Sequence, residues 1–284
     1  MTEPIVLPEF SSFGDQTISG LDSPEEATAA SQSVLQEARN SGRPRINDPG
    51  ESHLTLHRGI CREGAWYRDA EVRELTGADE EAFAAAGTSA PKVFETLLLR
   101  GTVRVGGEPM SPKVAAELLI GDREELVVAI RRATFGENLE FERLPCPQCG
   151  ELVDLTVPLG ALPSVSLEDP EQIEFEVPLR HGATAAVRLP TGEDQAAVLA
   201  IKSNAARRDS EILGRCVLSV TQPDGAVVRR PPAQTLKMAD RQAVLRFLGD
   251  TQPGPRLNQF SFTHESCGEE VELPIDLAVL FRGL

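Results

Sequence analysis

Two short cysteine–histidine knuckles, 118 positions apart, set the tightest constraint on how this chain can fold. Cys146-Pro147-Gln148-Cys149 and His264-Glu265-Ser266-Cys267 each hold two ligand side chains three positions apart. That spacing lets both side chains reach one tetrahedral ion across a tight turn. Gly150 and Gly268 follow the knuckles and suit the left-handed backbone that such a turn requires. Each knuckle supplies half a coordination shell. Together Cys146, Cys149, His264 and Cys267 offer three sulfurs and one imidazole, a full set for structural Zn2+. Four protein ligands leave no position for water or substrate, so the site is expected to be structural and not catalytic.

The knuckles are the last of a series of matches between the two halves. Val72, Arg73, Thr76, Gly77 and Asp79 recur as Val187, Arg188, Thr191, Gly192 and Asp194, each 115 positions later. Thr76 and Asp79 have the spacing of a helix N-cap and its acidic first-turn partner. Asp122, Leu126, Val127 and Ile130 recur as Asp240, Val244, Leu245 and Leu248, 118 positions later. The apolar members form one helical stripe, and the Gly121–Glu125 run predicts a capped start for the first of these helices. Cys149-Gly150-Glu151, Val153 and Leu155 recur as Cys267-Gly268-Glu269, Val271 and Leu273. His53–Ile60 and Ala65–Glu74 read as paired strands around Arg62-Glu63-Gly64. Asn138–Leu144 and Glu151–Val157 read as strands flanking the first knuckle.

These matches predict an α+β fold of two tandem strand–helix–zinc-knuckle hairpin modules, residues 53–162 and 173–284, joined by a linker at 163–172. With one ligand pair from each module, the metal would lie on a pseudo-twofold axis. Residues 1–52 are rich in Ser, Gly, Pro and acidic side chains, with few large apolar ones. They read as a mobile acidic arm able to dock on a partner.

Composition narrows function mainly by exclusion. The formal net charge is −16, which disfavours nucleic acid because such binding needs Lys and Arg to displace condensed counterions. No apolar run approaches the roughly 18 residues of a membrane span, and Met1–Gly20 lacks a secretory signal, so a chain soluble and intracellular at synthesis is expected. Five cysteines cannot all pair and in such a compartment point to metal or redox chemistry. No G-x-S-x-G, Walker A, H-E-x-x-H or G-x-G-x-x-G motif occurs. Cys216 reads as a small buried hydrophobe, Cys61 lies near a turn, and His53, His57 and His181 form no ligand spacing. The pairs Arg131-Arg132, Arg207-Arg208 and Arg229-Arg230 read as local salt-bridge partners.

Val72-Arg73-Glu74-Leu75-Thr76-Gly77-Ala78-Asp79-Glu80-Glu81 resembles an opening seen in tail-assembly proteins of phages. Ala133-Thr134-Phe135-Gly136, followed by Cys146-Pro-Gln-Cys149-Gly150, resembles the T-even-type baseplate hub assembly (chaperone) family of contractile phage tails and contractile injection systems. The likeness covers residues 53–160 best. It implies a non-enzymatic role in building a baseplate or its hub, with baseplate, hub or spike proteins as partners. The chain would be assembled in the cytoplasm or retained in the particle. Two readings from other classes compete: a zinc-dependent or thiol-redox enzyme using Cys146 and Cys149, and a zinc-ribbon adaptor.

Overall fold

The computed structural model describes residues 52–281 apart from Thr88, Ser203 and Asn258. Apart from Ser52, the expected N-terminal arm lies outside the described residues. The first half opens with β1 (Ser52–Arg62) and β2 (Ala65–Val72), joined through Glu63 and Gly64 at φ 52° and 82°. Two consecutive left-handed residues give the hairpin turn whose twist matches that of the strands. Then come α1 (Gly77–Ala86), α2 (Ala90–Gly101), β3 (Thr102–Val105), β4 (Glu108–Pro109), α3 (Pro112–Glu117) and α4 (Ile120–Phe135). The strands form an antiparallel sheet in the order β1-β2-β3-β4. A separate hairpin, β5 (Asn138–Pro145) and β6 (Leu152–Pro158), carries the first knuckle at its tip.

After β7 (Ser164–Val165), the second half builds β8 (Phe175–Pro178), β9 (Thr184–Val187), α5 (Gly192–Leu199), α6 (Ala205–Cys216), β10 (Val217–Thr221), β11 (Val227–Arg229) and α7 (Met238–Thr251). Its sheet has the order β8-β9-β10-β11, again antiparallel. The strand β12 (Gly254–Pro255) pairs with β7. The hairpin β13 (Ser261–Thr263) and β14 (Glu270–Glu272) carries the second knuckle, followed by α8 (Leu277–Leu280). Helices and antiparallel strands in separate runs make this an α+β fold.

Local bonds agree between the halves in detail. Thr76 and Asp79 form a capping box at α1, and Thr191 and Asp194 form one at α5. Arg73 grips Asp79 through two bonds of 2.9 and 2.8 Å, as Arg188 grips Asp194 at 2.6 and 2.9 Å. A second arginine stands behind each pair, Arg100 at 3.7 Å and Arg215 at 3.6 Å, also 115 apart. The Arg73 N–H donates to Gly101 O and the Arg188 N–H to Cys216 O, both at 2.9 Å.

Burial pushes the Asp79 and Asp194 carboxyls up, but the paired arginine and the Thr N–H and hydroxyl outweigh it and leave both below the ordinary carboxylate range. A depressed folded pKa gives stability that is complete above the unfolded value of about 3.9 and lost as pH falls through the folded one. The melting temperature is therefore expected to hold above about pH 4 and to fall progressively as the pH drops below it. A double variant, Asp79→Asn with Asp194→Asn, should melt lower at neutral pH and lose less on acidification; a parallel descent in circular-dichroism melts would contradict the assignment.

Asp122 departs from expectation. The residue at the N-cap of α4 is Leu119, and the Asp122 carboxylate does not cap its own helix. The register of β1 against β2 slips between Thr55 and Ile60, and such a bulge leaves N–H groups outside the ladder. Asp122 accepts from those of His57 (2.6 Å), Arg58 (3.2 Å) and Gly59 (2.9 Å). Its burial raises its pKa, opposed by these N–H groups. The Gln252 amide, with its oxygen turned to α4, takes the Ile120 and Gly121 N–H groups instead, at 2.9 and 2.8 Å. Gly121 is required there: a Cβ on it would lie 1.4 Å from Pro253 O.

The arginine pairs also differ from expectation. Among the described residues only Arg132 of the six forms an ion pair, with Glu137. Arg131 is buried, donates to Gly136 O and Asn138 O, and stacks over Phe135 at 4.9 Å, because α4 turns it inward toward the carbonyls that follow the helix.

Two apolar cores result. One gathers Leu56, Leu98, Leu126 and Ile130 with the knuckle hairpin residues Leu139, Phe141 and Val157; the other gathers Val187, Leu189, Leu213, Cys216 and Val244. Leu273, Ile275, Leu280 and Phe281, from the end of the second half, pack into the first core. Arg58 ties the 163–172 segment to β1, donating to Pro170 O at 3.2 Å and Gln172 O at 2.5 Å.

Candidate metal centre

Each knuckle is a one-turn loop closed by its own backbone. In the first, the Cys146 N–H donates to Glu151 O (2.8 Å) and the Gly150 N–H to Cys146 O (2.9 Å). In the second, the His264 N–H donates to Glu269 O (2.8 Å) and the Gly268 N–H to His264 O (2.7 Å). Gly150 and Gly268 sit at φ 75° and 72°, where a side chain would be strained. The same loop is thus built twice.

The two loops meet. One donor atom from each of Cys146, Cys149, His264 and Cys267 lies within 4.8 Å of the other three. Cys146 Sγ is 3.9 Å from Cys267 Sγ, Cys149 Sγ is 3.5 Å from His264 Nδ1, and His264 Nδ1 is 3.1 Å from Cys267 Sγ. Metal–sulfur bonds of about 2.3 Å and metal–nitrogen bonds of about 2.0–2.1 Å put the edges of a tetrahedron at roughly 3.5–3.8 Å, so the four atoms fit a shared ion. The cysteines are free thiols, far from the sulfur–sulfur bond length of about 2.05 Å. Cys146 and His264 are buried while Cys149 is exposed, so one face of the cluster opens to water.

Electrostatics prepares the cluster for a cation. The N–H groups of Cys149 and Gln148, directed at the Cys146 sulfur, lower its pKa to about 7. Cys149 receives the Glu151 N–H, but partial desolvation and the neighbouring sulfurs of Cys146 and Cys267 outweigh that and raise it. Crowded thiols of this kind cannot all ionise without a metal; with one bound, the thiolates are the stable form. Four donors would close the shell and leave no position for a reacting molecule.

Of the other residues considered from sequence, Cys216 is buried, and burial pushes its thiol up to about 12. Cys61 is exposed at the β1 end, and His57 lies on β1 with Nε2 3.7 Å from Glu125. Neither joins the cluster. Arg100 and Arg215 were missed, although their separation of 115 residues was a readable signal. Choosing Nδ1 of His264 as the inward nitrogen was beyond any sequence signal.

The fold and the cluster define an α+β scaffold closed by a metal-competent Cys3His knuckle pair. A family model described as T4 bacteriophage base plate protein matches residues 71–235, more than half of the chain, and the chain belongs to that family. The matched span holds the first knuckle and ends before the second. A search of curated proteins and one of solved structures gave no match. Among the described residues no helix is long and apolar enough to cross a membrane.

Proposed function

We propose that this chain is a non-enzymatic assembly factor or structural component of the baseplate or hub of a contractile, phage tail-like injection system. One structural zinc, held by Cys146, Cys149, His264 and Cys267, joins its halves. The observation that carries the reading is the meeting of two identically bonded knuckle loops in a chain of a baseplate family. Closing a four-donor shell contributes stability and leaves no catalytic position. The redox alternative loses ground because the donors of Cys146-x-x-Cys149 converge with those of His264 and Cys267 on one centre, the arrangement of a metal shell and not of a thiol paired with one resolving partner.

The matched capping boxes, arginine pairs and sheet orders support a tandem duplication, with modules at 53–162 and 173–284 about a pseudo-twofold axis through the metal. Residues 1–52 act as an acidic docking arm, and the partners are baseplate, hub or spike proteins met in the cytoplasm during assembly. Deleting the gene in its host tests the role directly. Electron micrographs should show tails without completed baseplates, restored by the wild-type chain and not by one carrying Cys146→Ser and Cys267→Ser. Normal baseplates in the deletion strain would refute it.

A further inference from the structure

The two four-stranded sheets end on matching edge strands, β4 and β11, and the two edges are finished differently. Gly107 and Gly225, 118 positions apart, turn the chain into these strands at φ 83° and 85°. In the first sheet the Met110 N–H then donates to Val103 O. In the second, Val228, 118 positions after Met110, pairs with Val220, between a Gln222 N–H to Ala226 O bond and an Arg230 N–H to Leu218 O bond. Antiparallel bonding alternates along a strand. Ala226 and Val228 therefore turn their backbone groups to β10, and Val227 and Arg229 turn theirs to the open side.

On the first edge the outward position is Pro109, which has no N–H to offer a further strand. Met110 packs against the first core and Ser111 caps α3, so β4 stops after Pro109. The second edge has none of these stops. Val227 stands in the place of Pro109 and Val228 in that of Met110; they are 55% and 47% exposed, and neither joins the second core. Among the described residues no strand pairs with the outer side of β11. The charge here is also opposite to that of the chain, which has 44 acidic and 28 basic side chains. Arg229 and Arg230 are exposed, and their side chains make no hydrogen bond or ion pair among the described residues. The hairpin's one acid, Asp224, accepts the Ala226 N–H at 3.0 Å.

We propose that β11 takes an extended acidic segment of a partner protein as an added antiparallel strand. The outward N–H and C=O groups of Val227 and Arg229 supply the backbone pairing, as in other cases of strand addition to an open edge. The two unpaired arginines set the sign of the occupant. Two acids followed by two β-branched residues, running antiparallel, would place the acids beside Arg230 and Arg229 and the apolar pair beside Val228 and Val227. The inference rests on the baseplate reading only in taking the occupant to be a protein; the edge and its charge stand apart from it.

The test uses the full chain with a fluorescein-labelled peptide carrying Glu-Glu-Val-Val between threonines, expected to bind with a Kd below about 1 mM. Val227→Pro copies the first edge, removing an outward N–H and no bond to β10, and should weaken binding at least about tenfold. Arg229→Glu should weaken it by a similar factor of about ten, through like-charge repulsion. Unchanged melting temperatures of both variants exclude misfolding. As a check that alters no residue of the protein, the peptide N-methylated at its second Glu and second Val should not bind. No saturable binding of the parent peptide by wild type, or equal binding by Val227→Pro, overturns the proposal. Equal binding of the N-methylated or a scrambled peptide also overturns it, leaving charge alone. Self-association of the wild-type chain that Val227→Pro abolishes overturns it as well, assigning the edge to a second copy. Failure to bind while gene deletion still abolishes baseplates rejects the edge alone; binding with normal baseplates in the deletion strain rejects the functional reading alone.

Discussion

Replacing Cys146 by serine is expected to abolish stoichiometric zinc binding and to part the two knuckle hairpins. Mass spectrometry under native conditions should find one zinc per wild-type chain and none in the variant. Cobalt loaded in place of zinc should give the tetrahedral thiolate spectrum only with wild type. Structural zinc contributes about 10–16 kcal/mol in small peptides that have little else to fold them. Here the hairpins also bury Leu139, Phe141, Val157, Val271 and Leu273, so a loss of several kcal/mol is expected, well below that ceiling. Chelators should lower the melting temperature of wild type to that of the variant. A melt insensitive to both chelator and substitution would remove the metal from the account of this fold.

The second large effect is expected from Asp122→Ala. Three N–H groups at the β1 bulge, those of His57, Arg58 and Gly59, would lose their acceptor in a place closed to water. Each orphaned buried donor costs about 1–3 kcal/mol, and because the His57 N–H is only part-buried and neighbouring losses overlap, the variant should lose about 3–6 kcal/mol in urea unfolding. The matching residue of the second half provides an internal control. Asp240 accepts one N–H, from Arg180 at 2.9 Å, and Asp240→Ala should cost about 1 kcal/mol. Equal losses from the two variants would show that the bulge is held by something other than the carboxylate.

What could be read from the sequence was what local chemistry decides. The β1–β2 hairpin, the Thr76 and Thr191 caps and the hairpin around Cys146 follow from turn residues, capping pairs and alternation, and all appear where expected. The four candidate ligands were readable because ligand chemistry permits few residue types at few spacings. Asp122 was noticed through its recurrence as Asp240, but its role was misread. A carboxylate at the third position of a helix ordinarily serves that helix, and only the folded chain brings an irregular strand against it. Arg131 failed for a similar reason, since an arginine beside another gives no hint that one of them turns inward to backbone carbonyls. The ties of Arg58 to Pro170 and Gln172, and of Gln252 to α4, join residues far apart in sequence through backbone groups. No side-chain pattern records such partners.

The packing of Leu273, Ile275, Leu280 and Phe281 into the first core has a consequence for biosynthesis. A ribosome moving at about 5–20 residues per second exposes the amino-terminal half of a chain many seconds before its far end, and domains ordinarily fold as they emerge. Here the first core waits for side chains made long after the rest of it, as the first knuckle waits for His264 and Cys267. Polypeptides cut short by a premature stop would leave an open apolar seam for chaperones and proteases to find. Synthesis past Phe281 is thus the step at which the first core can close.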